Sequence, residues 1–197
     1  MRTRRWALVG LGLAVLLGLV AAFGSQADRN GTEVTIAVGG AAPGFSAPIA
    51  GEKRGAFSLD RERGHAVLLS FLNTQAQASA AGDPSRSQIV VLKSMNTQNH
   101  THGLRTVIVD AAATAGVPAP SHDVLVNFTF DWALDPSIVV VGDAGGSIER
   151  AYGVTKVPTT LVIDGRGVVR HRWNGYALAA ALDFAIRPLD GRPLVGS

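Results

Sequence analysis

The side chains of this 197-residue chain that could do chemistry are few and widely spread. None is a cysteine, which removes disulfides, thiolate metal sites, sulfur-ligated clusters and thiol nucleophiles together. Two of the five histidines stand close in Asn99-His100-Thr101-His102, and imidazoles two residues apart can share an ion. No carboxylate or third histidine accompanies them, so the stretch reads as a polar loop after a helix, and no metal or other cofactor is expected. His65 and His171 fall beside predicted strands and read as surface residues. Serine, histidine and aspartate all occur, but no G-x-S-x-G elbow presents a serine as a nucleophile. Asp164 reads as a turn residue rather than an acid catalyst, and Trp132 and Trp173 as packing residues.

The elements that would position any site begin after an unusual N-terminus. Arg2, Arg4 and Arg5 precede an uncharged apolar run from Trp6 to Phe23. Eighteen residues of helix reach roughly 27 Å, near the thickness of a bilayer core. Residues 1–23 are therefore expected to form a transmembrane signal anchor. The alternative is a signal peptide cleaved near Ala27, after Ser25-Gln26-Ala27; the length of the run favours the anchor. The arginines should stay cytoplasmic and send the rest of the chain outside the membrane. They also account for the whole net charge of +3, since 18 basic residues stand against 15 acidic ones. The remainder is formally neutral, which argues against nucleic-acid binding.

Residues 24–41 read as a linker, with a β-prone patch at Thr32–Val38 that could supply an edge strand. From Ala42 the pattern becomes that of a folded domain, expected to run to Leu189, with residues 190–197 as a frayed tail. Ala66–Leu72 is apolar and strand-length, as for a strand buried on both faces. Ile89, Leu92 and Met95 share a helical face. Thr106–Val109 and Ile138–Val141 read as two more buried strands, and Ala111–Pro120 as loop. Ser121 is placed to cap a helix, and Ser147–Tyr152 reads as a short helix closed by Gly153. Thr159–Ile163 and Val168–Trp173, joined by Asp164-Gly165-Arg166-Gly167, predict an antiparallel hairpin. Leu178–Ile186 is a last apolar helix. Helical crossovers and a terminal hairpin make a mixed β-sheet flanked by helices, an α/β fold.

That order, with Ala151-Tyr152-Gly153-Val154-Thr155-Lys156-Val157-Pro158-Thr159-Thr160-Leu161-Val162-Ile163-Asp164, resembles the thioredoxin-like redoxin family. The resemblance is greatest to its TlpA- and ResA-like thiol–disulfide oxidoreductases, relatives of the AhpC/TSA peroxiredoxins, and it covers roughly Ala42 to Leu189. It implies a cis bond between Val157 and Pro158. It also implies an active turn in Leu68–Ser79, where Thr74 and Gln75 take the places that flank the redox motif. Ala76 and Ser79 stand where the family has its nucleophilic and resolving cysteines, and Pro84 matches its helix proline. Disulfide exchange needs a thiolate and a second thiol to release the mixed disulfide, and neither Ala76 nor an unassisted Ser79 supplies one.

The resemblance further implies a groove beside Pro158, in which the main chain of Val157 meets an extended segment of another protein. Two readings of function follow. One is a membrane-anchored extracytoplasmic binding or accessory module, without redox catalysis, using Thr74, Gln75, Val157 and Pro158. The other is an oxidoreductase or antioxidant redoxin working through a partner's thiols.

Overall fold

The computed structural model describes residues 36–52, 55–76 and 82–189. Contacts divide the chain into Met1–Glu33 and Val34–Ser197, and all described residues belong to the second unit. The expected N-terminal transmembrane or signal helix lies outside the described residues. No helix among the described residues is long and apolar enough to cross a membrane.

A small antiparallel pair opens the domain: β1 (Ser46–Pro48) against β2 (Ala56–Ser58). The main sheet has five strands in the order β5-β4-β3-β6-β7. β3 (Val67–Leu72) is central, parallel to β4 (Arg105–Asp110) and antiparallel to β6 (Thr159–Ile163). β5 (Ile138–Val141) pairs in parallel with β4, and β7 (Val169–Asn174) pairs antiparallel with β6. The mixed α/β sheet expected from the element order is the one observed.

Every residue of β3 is buried, because both faces of the sheet are covered. Val67, Leu69 and Phe71 point into a core shared with Phe57, Tyr152 and Ile36. Leu68 and Leu72 point into the other, packed by Ile89, Leu92 and Met95 of α1 (Pro84–Asn99) and by Leu182 and Ile186 of α5 (Ala179–Ile186). Ser70 is the polar exception on that second face, and its hydroxyl meets that of Thr160 on β6 at 2.8 Å.

Local chemistry sets the element ends. Asp83 caps α1 by accepting from the Ser85 N–H at 2.7 Å, and Pro84 starts the helix where its missing N–H costs nothing. Ser121 caps α3 (His122–Asp131) through the Val124 N–H, as its position suggested. The hairpin turn closes on Asp164, whose carboxylate accepts from the N–H groups of Arg166 and Val168, both at 2.9 Å. Gly167 completes it at φ 76°, a conformation other side chains resist.

One segment differs from its expected form. Ala111–Pro120 contains a short helix, α2 (Ala112–Ala115), where a loop was expected. Its first N–H group is taken up by Asp110 two residues before it, and the next two by the distant, buried Glu149, which has no local sequence signature. The last short helix, α4 (Ser147–Ala151), ends before Gly153, which has φ 56°. At the N-terminal side Ile36 is buried and Ala41 bridges Val168, so residues assigned to the linker pack on the sheet.

Candidate functional site

The ladder registers bring two loops together at one end of the sheet. The last pair between β3 and β6 is Phe71 with Thr159, and the last between β3 and β4 is Leu72 with Asp110. The chain leaving β3 as Asn73–Ala76 therefore emerges between Asp110 and the Val157–Pro158 segment that enters β6.

The loop after β3 is a tight turn built on Asn73. The Asn73 Oδ1 accepts from the Gln75 N–H at 3.1 Å, and its C=O from the Ala76 N–H at 3.3 Å. Thr74 is buried, and both its N–H, at 3.3 Å, and its hydroxyl, at 2.5 Å, donate to Asp110 Oδ1. Gln75 turns outward, its amide donating to the Pro118 C=O at 2.7 Å. Ala76 is half-buried and offers a methyl group. Ser79 lies outside the described residues.

Asp110, the last residue of β4, has a larger part than ending a strand. It is fully buried and accepts from Thr74 and from the N–H of Ala112 at 3.3 Å. Burial pushes its carboxyl above the ordinary carboxylate range, outweighing those hydrogen bonds, and the nearby Asp143 carboxylate pushes the same way. Asp143 and Glu149 are buried as well. Asp143 accepts from the N–H groups of Ser147 and Glu149, and Glu149 from those of Ala113 and Thr114. The three carboxylates therefore fasten the starts of α2 and α4 around the site. An apolar strand ending in aspartate, Val107-Ile108-Val109-Asp110, was the one available signal for this.

The loop entering β6 is held from the other side. The Val157–Pro158 peptide bond is cis, as the resemblance implied. Pro158 is buried, and its C=O accepts from the Gly175 N–H at 2.7 Å. Val157 is half-buried against the core. Among the described residues neither its N–H nor its C=O has a hydrogen-bond partner. The Arg172 guanidinium braces the preceding chain, donating to the C=O groups of Tyr152 at 2.7 Å and Gly153 at 2.8 Å. The Tyr152 ring packs between Phe45 and Phe71, and its hydroxyl donates to the Pro43 C=O at 2.7 Å.

The remaining candidates lie elsewhere. His100 Nδ1 sits 2.9 Å from the Asn96 C=O at the end of α1, and His102 is exposed. Among the described residues no group of three or more metal-ligating side chains is assembled. His171 stacks on Trp173, with ring centroids 5.6 Å apart, on the outermost strand. Asp164 holds its turn. Burial alone would raise its carboxyl, but the N–H groups of Val168 and Arg166 with the Arg170 guanidinium outweigh burial and hold it below the usual range.

No protein-family model matches the chain. A 55-residue stretch is 36% identical to the thiol:disulfide interchange protein DsbE of Xylella fastidiosa, in two strains. That stretch is 28% of this chain and spans 28% of those curated relatives. A crystal structure assigned to thiol:disulfide interchange protein DsbE from Chlorobium tepidum superimposes with a TM-score of 0.63 and 26% identity, covering 80% of this chain and 100% of that one. The chain is thus similar in fold, and in part in sequence, to thioredoxin-like thiol:disulfide interchange proteins. A secreted thiol-disulfide isomerase from Corynebacterium glutamicum shares the fold at a TM-score of 0.64 and 17% identity, over 82% of this chain and 94% of its own.

Within this thioredoxin-like frame the arrangement can do two things. It presents a hydrogen-bonded turn with a methyl group at Ala76, and main-chain groups at Val157 that have no partner among the described residues. No thiol is present anywhere in the chain to carry the family's exchange reaction.

Proposed function

We propose that this protein is a redox-inactive member of the thiol:disulfide interchange family that acts as a binding or accessory module outside the cytoplasmic membrane. The observation that carries the reading is the N–H and C=O of Val157, without a partner among the described residues, beside a turn that has no sulfur. An extended segment of a partner protein can pair with those two groups by main-chain hydrogen bonds, and that interaction needs no thiol. Thr74, clamped by Asp110, keeps the facing turn in shape, while Gln75 and Ala76 line its outer side. Pro158 leaves the strand with no N–H to compete for the partner.

Membrane attachment through residues 1–23 belongs to the same proposal. It is supported by the three arginines followed by the uncharged run Trp6–Phe23.

The test has two arms on the full chain. In a disulfide-reduction assay and a peroxide-consumption assay, turnover is expected to equal a thiol-free control. Turnover well above that control would overturn the reading and favour catalysis through thiols supplied by a partner. In the second arm, a reduced and alkylated unfolded protein serves as the extended probe. The Val157 amide signal is expected to shift and its hydrogen exchange to slow on addition. An unchanged Val157 amide would place the binding surface elsewhere.

A further inference from the structure

The outer edge of β7 combines two properties that the groove reading does not use. The first is unpaired main chain. Thr159 and Asn174 form a non-hydrogen-bonded pair, because the Gly175 N–H reaches the Pro158 C=O. Counting down the ladder, Thr160 with Trp173 and Val162 with His171 are the bonded pairs. The N–H and C=O of Arg172 and Asn174 therefore point away from β6. At its other end β7 is already covered, since Val169 exchanges hydrogen bonds with Gly39 and Gly40. The chain makes a turn there, with the Gly40 N–H donating to the Ala37 C=O. Among the described residues nothing pairs with the outward groups of Arg172 and Asn174.

The second property is charge. On β7 and the loops at its ends the basic residues Lys156, Arg166, Arg170 and Arg172 stand against Asp164 alone, which pairs with Arg166 and Arg170. From Asp123 to Glu149, on the side of β5, there are five acidic residues and no basic one. Lys156 is exposed, and its ammonium lies beside Gly175 at one end of the open edge. Arg166, with 81% of its side chain exposed, and Arg170 lie at the other. A chain that is neutral overall beyond its first residues thus carries a net positive charge around an edge strand whose outward groups have no partner among the described residues.

We propose that the outer edge of β7 is a strand-addition site for an extended, acidic segment of another protein. The added strand pairs with the N–H and C=O groups of Arg172 and Asn174, and carboxylates on it meet the cationic rim. A second copy of this chain is disfavoured there, because pairing two β7 edges sets Arg170 and Arg172 against their own likes. This site is separate from Val157 and stands without the groove.

Amide hydrogen exchange on the isotopically labelled full chain tests it, with two nine-residue peptides as probes, one alternating Val and Glu, the other Val and Lys. The acidic peptide is expected to slow exchange at Arg172 and Asn174, and the basic one to leave both unchanged. Lys156→Glu with Arg166→Glu should weaken binding of the acidic peptide roughly tenfold. Asn174→Pro removes an outward N–H without touching the bonded pairs and should weaken it roughly fivefold. Should that variant not fold, an acidic peptide N-methylated at alternate residues takes its place and is expected to bind as weakly. Equal protection by the basic peptide would overturn the proposal. So would full-strength binding of the N-methylated peptide, which means charge attraction without pairing, or dimerisation of the protein through β7 in the absence of peptide. A failure at Val157 leaves the Arg172 and Asn174 amides unaffected, so the two readings fail separately.

Discussion

The loop leaving β3 is held by a carboxylate, and the loop entering β6 by a guanidinium. Asp110 accepts from the main chain of Thr74 and Ala112 at the end of β4, while Arg172, in the middle of β7, donates to the main chain of Tyr152 and Gly153. Their electrostatics differ. Asp110 is fully buried with no cation among the described residues lowering its pKa, so burial opposes its charge. Arg172 keeps part of its side chain in contact with solvent, and its bonds go to carbonyl oxygens that would otherwise lack them. The difference teaches which half of the site is built for what. The turn after β3 is fixed by a carboxylate whose charge burial opposes, and the chain leading to Val157 is braced by a cation that burial opposes less.

Breaking the brace should have the larger effect. Arg172→Met removes the donors to Tyr152 and Gly153 while keeping much of the apolar stem, and should cost about 2 kcal/mol of stability in denaturant unfolding. It should also loosen Val157, seen as faster amide exchange at Val154–Val157. A loss no greater than that of an exposed substitution would show that the loop stands by packing alone.

The carboxylate side is sharpened by pH. Asp110 titrates above its ordinary value of 3.8 in the folded protein. The folded state therefore holds a proton that the unfolded state releases, and stability falls as pH rises through that window. Below 3.8 both states are protonated and the contribution is complete. Asp110→Asn should flatten this descending limb in thermal unfolding followed against pH. Asp164 works in the opposite sense: its lowered pKa adds stability above 3.8 that is lost as pH falls through the folded value. If Asp110→Asn leaves the slope unchanged, another group carries the pH dependence.

Much of this was readable in the residues. The continuous apolar run of β3 announced a strand buried on both faces, and Asp164-Gly165-Arg166-Gly167 announced the hairpin, because turn chemistry and strand periodicity are local. Val157-Pro158-Thr159-Thr160 gave the loop entering β6. The clamps were not readable. Asp110 reaches Thr74 across 36 positions, Glu149 reaches Thr114 across 35, and Arg172 reaches Tyr152 across 20. Nothing within a turn or strand of any of them specifies its partner. The same holds for α2, whose four residues are too few to announce a helix and whose start is fastened in part by the distant Glu149. The open edge of β7 required the ladder register, which a strand's composition does not contain.

The central claim is that the family's frame persists at the turn after β3 with its sulfurs replaced. The most direct measurement is the double substitution Ala76→Cys with Ser79→Cys in the full chain, followed by thiol counting and a disulfide-reduction assay. The account predicts that the variant forms one intramolecular disulfide on oxidation and reduces a disulfide substrate, while the wild type does neither. A double variant that folds yet forms no disulfide and shows no turnover would contradict it.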